Sequence, residues 1–223
     1  MSPALVQTVD RAALEQIVVP SLGAGVVLGR DQAQVPIAVR LFRPQPTIVT
    51  LVGGWWIARL VAFRALATGA LLAVHAAAAQ HWQGFGEVAT NRPDRMGFLD
   101  PSQPVALPSS RRRPVLYVHD LVAAQGGPPP PLSSWQCALV VVPQLVPGAA
   151  RAVSEADLCV VQRLGESEAV LAGSVLRLSG DTVGHVQLMP DDLVGVLGAG
   201  AARYAWTAQT NVEKRLLGPP SRG

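Results

Sequence analysis

The chain sets short, almost wholly apolar runs between loops rich in proline, glycine and arginine. Five such runs stand out: TIVTLV (47–52), ALLAVHA (70–76), PVLYVHD (114–120), ALVVVP (138–143) and DLCVVQR (157–163). They are β-branched and lack polar alternation, the pattern of strands covered on both faces in a parallel sheet. Ahead of them, VVLGR (26–30) and VPIAVRLF (35–42) flank Asp31-Gln32-Ala33-Gln34 and predict a β-hairpin, with Pro36 suited to an edge strand. From Trp55 to Ala67 the residues Trp56, Leu60, Phe63 and Ala67 recur at the spacing of one helix face, and Gly69 is placed as a stop. Strand 47–52, this helix and strand 70–76 form a βαβ unit with an expected right-handed crossover. A short helix is predicted over Ala78–Val88. Another is predicted over Glu166–Leu176, where Val170, Leu171 and Val175 stand against Glu166 and Arg177. Asp191–Leu197 reads as a short helix or turn, RYAWTAQ (203–209) as a final strand and Val212–Leu217 as a terminal turn.

The expected fold class is therefore α/β: a mainly parallel sheet of about five core strands with flanking helices, preceded by the hairpin. Residues 1–24 read as an arm or short helix, 25–217 as one domain and 218–223 as a disordered tail. Proline-rich stretches at 90–113 and 123–134 read as surface excursions from that one domain.

Composition supports buried strands: 49% of residues are hydrophobic and 15% charged, with a mean hydropathy of +0.30. The net charge is +3, and Lys214 is the only lysine. The single basic run, Arg111-Arg112-Arg113, has no aromatic residues interleaved and reads as a solvated loop, not a nucleic-acid surface. Cys137 and Cys159 lie inside apolar runs and read as inert core residues. His75, His81, His119 and His185 are widely spaced, so neither zinc nor any other metal is expected. The N-terminal residues lack a signal-peptide pattern. The most membrane-like stretch, Thr47–Ala79, is interrupted by Arg59 and Arg64, each costing about 2.5–3.5 kcal/mol at mid-bilayer. The expectation is a cytoplasmic protein without a transmembrane segment; the high hydropathy leaves peripheral membrane association as an alternative.

In an open parallel sheet, ligands bind at the carboxyl ends of the strands. Gly53-Gly54, His75, His119-Asp120, Pro143-Gln144 and Gln162-Arg163 fall there. A phosphate loop needs glycines that let backbone N–H groups converge on an anion, then a lysine for the outer phosphates and a hydroxyl for magnesium. LVGGWWIAR instead places Trp55 and Trp56 after the glycines. Asp120 is a candidate magnesium ligand, or an orienter for His119, set against a capping role. No serine sits in a nucleophile elbow, and Asp191-Asp192 after Pro190 suits the first turn of a helix. No catalytic residue and no cofactor is expected.

The hairpin, the TIVTLV strand with its glycines, and the runs ALVVVPQ and DLCVVQR followed by GESEA resemble an FtsK/HerA-type motor domain over roughly residues 25–217. In that family the first strand carries the phosphate loop, and the strand matching ALVVVPQ ends in a magnesium-binding acid. Here no lysine and hydroxyl follow Gly54, and Pro143-Gln144 stands where the acid would be. The resemblance implies a degenerate, P-loop-like domain of the kind found in actinobacterial type VII (ESX) secretion systems. The function expected is a non-catalytic, ATPase-like interaction protein docking on protein partners, with Trp55, Trp56, Gln162 and Arg163 as candidate contacts. The alternative is a nucleotide-binding protein or enzyme with an atypical pocket at Gly53, Gly54, His119 and Asp120.

Overall fold

A computed structural model describes residues 25–75, 79–100, 107–120, 131–198 and 201–222, with the backbone alone at His75, Gln80 and Asp120. The arm expected over 1–24 and most of the 123–134 excursion lie outside the described residues.

The five apolar runs form the parallel strands β3 (Thr47–Val52), β4 (Leu71–His75), β6 (Val115–Asp120), β7 (Gln136–Val142) and β8 (Leu158–Val161). A sixth parallel strand, β5 (Met96–Phe98), comes from the segment expected to be a surface excursion and pairs with β4 at the sheet edge. The hairpin β1 (Val26–Arg30) and β2 (Pro36–Val39) forms as expected, with Asp31 Oδ1 accepting from the Val35 N–H at 2.8 Å across its turn. It joins the same sheet through β10 (Ala201–Trp206), and β9 (Leu193–Gly198) links β10 to β8. The ten strands run in the order β2-β1-β10-β9-β8-β3-β7-β6-β4-β5. The sheet is thus larger than the five strands expected, with β2, β1, β10 and β9 forming an antiparallel portion beside the parallel one.

Residues 193–198, expected as helix or turn, are strand β9, and Asp191-Asp192 lie in the turn before it. The Asp192 carbonyl accepts from the Thr207 N–H and hydroxyl, both at 2.8 Å, which ties that turn to the end of β10.

Helices cover both faces. Helix α1 (Trp55–Ala67) lies on one side, joined by α2 (Phe85–Thr90) and α6 (Asn211–Leu217); α3 (Ala150–Ser154), α4 (Glu166–Leu176) and α5 (Gly180–Leu188) lie on the other. Gly84, at φ 67, splits the helix expected over Ala78–Val88 into a 3-10 turn and α2. The terminal turn expected at Val212–Leu217 is helix α6, begun by a capping box between Thr210 and Glu213.

All seven residues of β7 are buried, and the pleat divides them. Cys137, Leu139 and Val141 pack toward α1, whereas Ala138, Val140 and Val142 pack toward α4. Apolar residues on every side are what a central strand requires. Helix α1 is likewise enclosed beyond one face: Ile57, Ala58, Val61, Ala62, Ala65 and Leu66 are buried beside Trp56 and Leu60, while Ala67 is exposed.

Arg64 and Arg59, the breaks in the most hydrophobic stretch, have distinct roles. Arg64 reaches from α1 to Glu213 at 2.6 Å and donates to the carbonyls of Val27, Leu28 and Ala208, joining hairpin, helix and the loop after β10. The guanidinium of Arg59 stands over the Phe85 ring, 5.2 Å from its centroid.

Candidate functional site

After β3 the chain crosses by α1 to β4, beyond β7 and β6. After β7 it crosses by α3 to β8, on the opposite side of β3. Connections from the neighbouring strands β3 and β7 leave in opposite directions, so the crevice at the carboxyl ends of β3, β7 and β8 is the topological switch point where such sheets bind ligands. Gly53-Gly54 follow β3, Pro143-Gln144 follow β7 and Gln162-Arg163 follow β8. The structure brings these three pairs together at one end of the sheet.

The turn after β3 is tight: two residues separate strand from helix, with Gly54 as the cap residue of α1. The Gly53 N–H donates to the Val142 carbonyl at 3.0 Å, and the Gly54 N–H donates to Gln162 Oε1 at 2.8 Å. Both donors that the glycines would offer an anion are therefore taken inside the protein. Gln162 is 1% exposed, so its bond to Gly54 is desolvated and hard to displace.

A segment expected to be disordered fills the crevice. Residues 218–222 run from the end of α6 across the strand ends. The Gly218 carbonyl accepts from Trp56 Nε1 at 3.2 Å and from Gln209 Nε2 at 3.1 Å, and the Ser221 carbonyl accepts from Gln162 Nε2 at 3.2 Å. The Arg222 backbone lies so close to Gly54 that a β-carbon there would overlap the Arg222 carbonyl. Gly54 has φ −77 and ψ 178, which any residue adopts. Close approach, not backbone freedom, is what demands glycine.

The Arg222 guanidinium occupies the centre. Its Nη1 donates to the Arg163 carbonyl; its Nη2 donates to the Pro143 carbonyl at 3.2 Å and to Glu168 Oε1 at 2.5 Å. Glu168 projects from the first turn of α4 and also accepts from the N–H groups of Leu145 and Gly165, each at 2.8 Å. Burial raises the Glu168 carboxyl, but the Arg222 bond and the two backbone N–H bonds outweigh it and hold the pKa below the usual carboxylate value.

The other candidates are placed differently. His119 is 2% exposed on β6, where its backbone pairs with His75 and Val140. Asp120 ends the same strand opposite Val141. They share the strand-end edge with Gly53-Gly54 but lie across β7 from β3, about 9–10 Å away by two strand spacings. Trp56 is 5% exposed and packed into the core, so it presents no docking face; the same enclosure removes Gln162 as a surface contact. Trp55 is half-buried, stacked on His81 at 4.7 Å between ring centroids and edge-on to Trp82. Arg163 is exposed and pairs with Asp191 at 3.2 Å.

The seated segment leaves a phosphate no free glycine N–H at this turn. With Arg222 seated, the crevice lines up a carboxylate and two carbonyl oxygens around the guanidinium, and no lysine follows the glycines; Asp120, at the end of β6, is the acid on the same edge of the sheet. No group of three or more His, Cys, Asp or Glu is placed to hold a metal among the described residues. No helix among them is long and apolar enough to cross a membrane. Sequence had marked Gly54, Pro143, Gln162 and Arg163, but it missed Glu168 and Arg222. The available signal for Glu168 was the capping-box spacing after Gly165.

No family pattern matches the chain, and no curated protein matches it. Solved structures do. The genome packaging NTPase B204 from Sulfolobus turreted icosahedral virus 2, in complex with AMP, is similar over 74% of this chain and 98% of that one (TM-score 0.53, 9% identity). VirB4 of Thermoanaerobacter pseudethanolicus is similar over 86% and 98% (TM-score 0.53, 8% identity). The cytoplasmic domain of EssC is similar over 89% of this chain and 45% of that one (TM-score 0.51, 11% identity). At these identities the likeness concerns architecture alone: the chain shares the α/β fold of these solved structures, a large, mostly parallel sheet flanked by helices.

Proposed function

We propose that this protein is a non-catalytic, ATPase-like interaction domain that docks on a larger protein assembly, in the cytoplasm, with type VII secretion machinery as the favoured setting. The observation that carries the reading is the crevice. Its glycine N–H groups are bonded internally, and the protein's own Arg222 backbone lies against Gly54. An ATPase-like fold that has lost its nucleotide chemistry retains the surfaces by which such domains meet partners. Arg163 and the half-buried Trp55 are the contacts to test, since Trp56 and Gln162 are enclosed. The setting is supported by the sequence resemblance and by the fold shared with the EssC cytoplasmic domain.

The test is a thermal-shift panel of ATP, GTP and dinucleotides with magnesium. No stabilisation is the expected result. Stabilisation by a nucleotide, abolished by Asp120→Ala, would establish the alternative of an atypical nucleotide pocket.

A further inference from the structure

The crevice is more than closed: its polar groups are arranged for one kind of cation. Three acceptors, the Glu168 carboxylate and the carbonyls of Pro143 and Arg163, converge from three successive chain segments on both terminal nitrogens of one guanidinium. A planar fork meets that arrangement with two terminal nitrogens in fixed geometry, whereas an ammonium would have to reach all three acceptors from one atom. The pair is enclosed, with side-chain exposures of 17% for Arg222 and 8% for Glu168. The Gln162 amide ties the same segment to the glycine turn, accepting from Gly54 with its oxygen and donating to the Ser221 carbonyl with its nitrogen. Pro219-Pro220 suit such a ligand: they stiffen it in extended form and bring no N–H that would need a partner.

We propose that the switch-point crevice is an arginine-recognition site for an extended peptide, with Gly218–Arg222 as its resident occupant. The ligand class is a guanidinium on a proline-stiffened strand, the electrostatic inverse of a nucleotide phosphate. The site binds its own segment in cis at the millimolar effective concentration that a short tether provides, so a free peptide competes poorly until that segment is displaced. This assignment stands apart from the nucleotide question.

Arg222→Glu in the full chain sets like charge against Glu168 and releases the resident segment. Fluorescence anisotropy of a labelled Gly-Pro-Pro-Ser-Arg peptide then reads the vacated site. Binding to this variant is expected to be at least tenfold tighter than to the unaltered chain. It should weaken at least tenfold when lysine replaces the peptide's arginine, or when Glu168→Gln is added. Arg222→Ala serves as the second host should circular dichroism show the first unfolded. Absence of binding to a folded host, or equal binding of the arginine and lysine peptides, overturns the assignment. Binding of ATP to Arg222→Glu would instead count against the non-catalytic function and leave the peptide result to be read separately.

Discussion

Gly54→Ala isolates the seating of residues 218–222 from every other property of the turn. The backbone at Gly54 accommodates alanine without strain, so the added methyl acts only through its overlap with the Arg222 carbonyl. That neighbour is backbone, which cannot swing aside as a side-chain tip would, and the segment must lift. Lifting it breaks the charged hydrogen bond to Glu168, about 1.5–3 kcal/mol, and weaker bonds to Pro143, Arg163 and Gln162. Freed residues recover about 1–2 kcal/mol each in backbone entropy, less at the two prolines, which offsets part of the loss. The net expected cost is ~2 kcal/mol, or a fall in Tm of about 4–8 °C for a chain of this size. Denaturant unfolding of Gly54→Ala, Arg222→Ala and the double variant reads the coupling. Both substitutions release the same segment, so the double variant should be no less stable than the worse single one by more than about 0.5 kcal/mol. Additive costs, or an unchanged Gly54→Ala, would refute the seating.

Three further outcomes follow from the buried polar groups. Arg64→Met should cost about 3–5 kcal/mol in thermal or urea unfolding, because it strands the enclosed Glu213 carboxylate and frees three carbonyls. Burial raises the carboxyls of Glu168 and Glu213, but their arginine and backbone partners hold both below the usual value. Their contribution is therefore full above the unfolded carboxylate pKa of about 4.3 and is lost as pH falls through the folded values. Stability measured from pH 6 to pH 2 should drop below about pH 4, and the Arg64→Met deficit should shrink over the same interval. Burial pushes the Cys137 thiol far up and that of Cys159 to about 12. Neither should react with a thiol reagent at neutral pH until denaturant unfolds the chain; labelling of the native protein would contradict their placement.

The parallel half of the sheet was legible because strands buried on both faces have no choice but continuous apolar runs, as QCALVVV in β7 illustrates. The antiparallel half was harder to read. Just before β9, Pro190-Asp191-Asp192 imitates a helix start, and within it Gly195 breaks the apolar run where Val161 and Tyr204 crowd against the backbone. Helix α5 carries Gly180, Thr182 and Gly184, weak helix formers held by the Ser179 cap and by packing on α4. At the site, the glycine turn with no lysine after it was visible as a local pattern. The occupant was not, since Arg222 meets Glu168 across 54 positions of sequence, and Gly-Pro-Pro-Ser-Arg carries no periodicity. Trp56 misled for a related reason. Adjacency at a turn suggested a surface pair, but helical geometry sends one ring into the core and the other against His81.

Amide hydrogen exchange of peptides spanning Leu51–Ile57 and residues 218–222, with and without millimolar Mg-ATP, tests the central claim most directly. The account predicts protection at Gly53 and Gly54 without any ligand and an exchange pattern that Mg-ATP leaves unchanged. New protection at the turn together with release of residues 218–222 would show nucleotide entering the crevice and would contradict it.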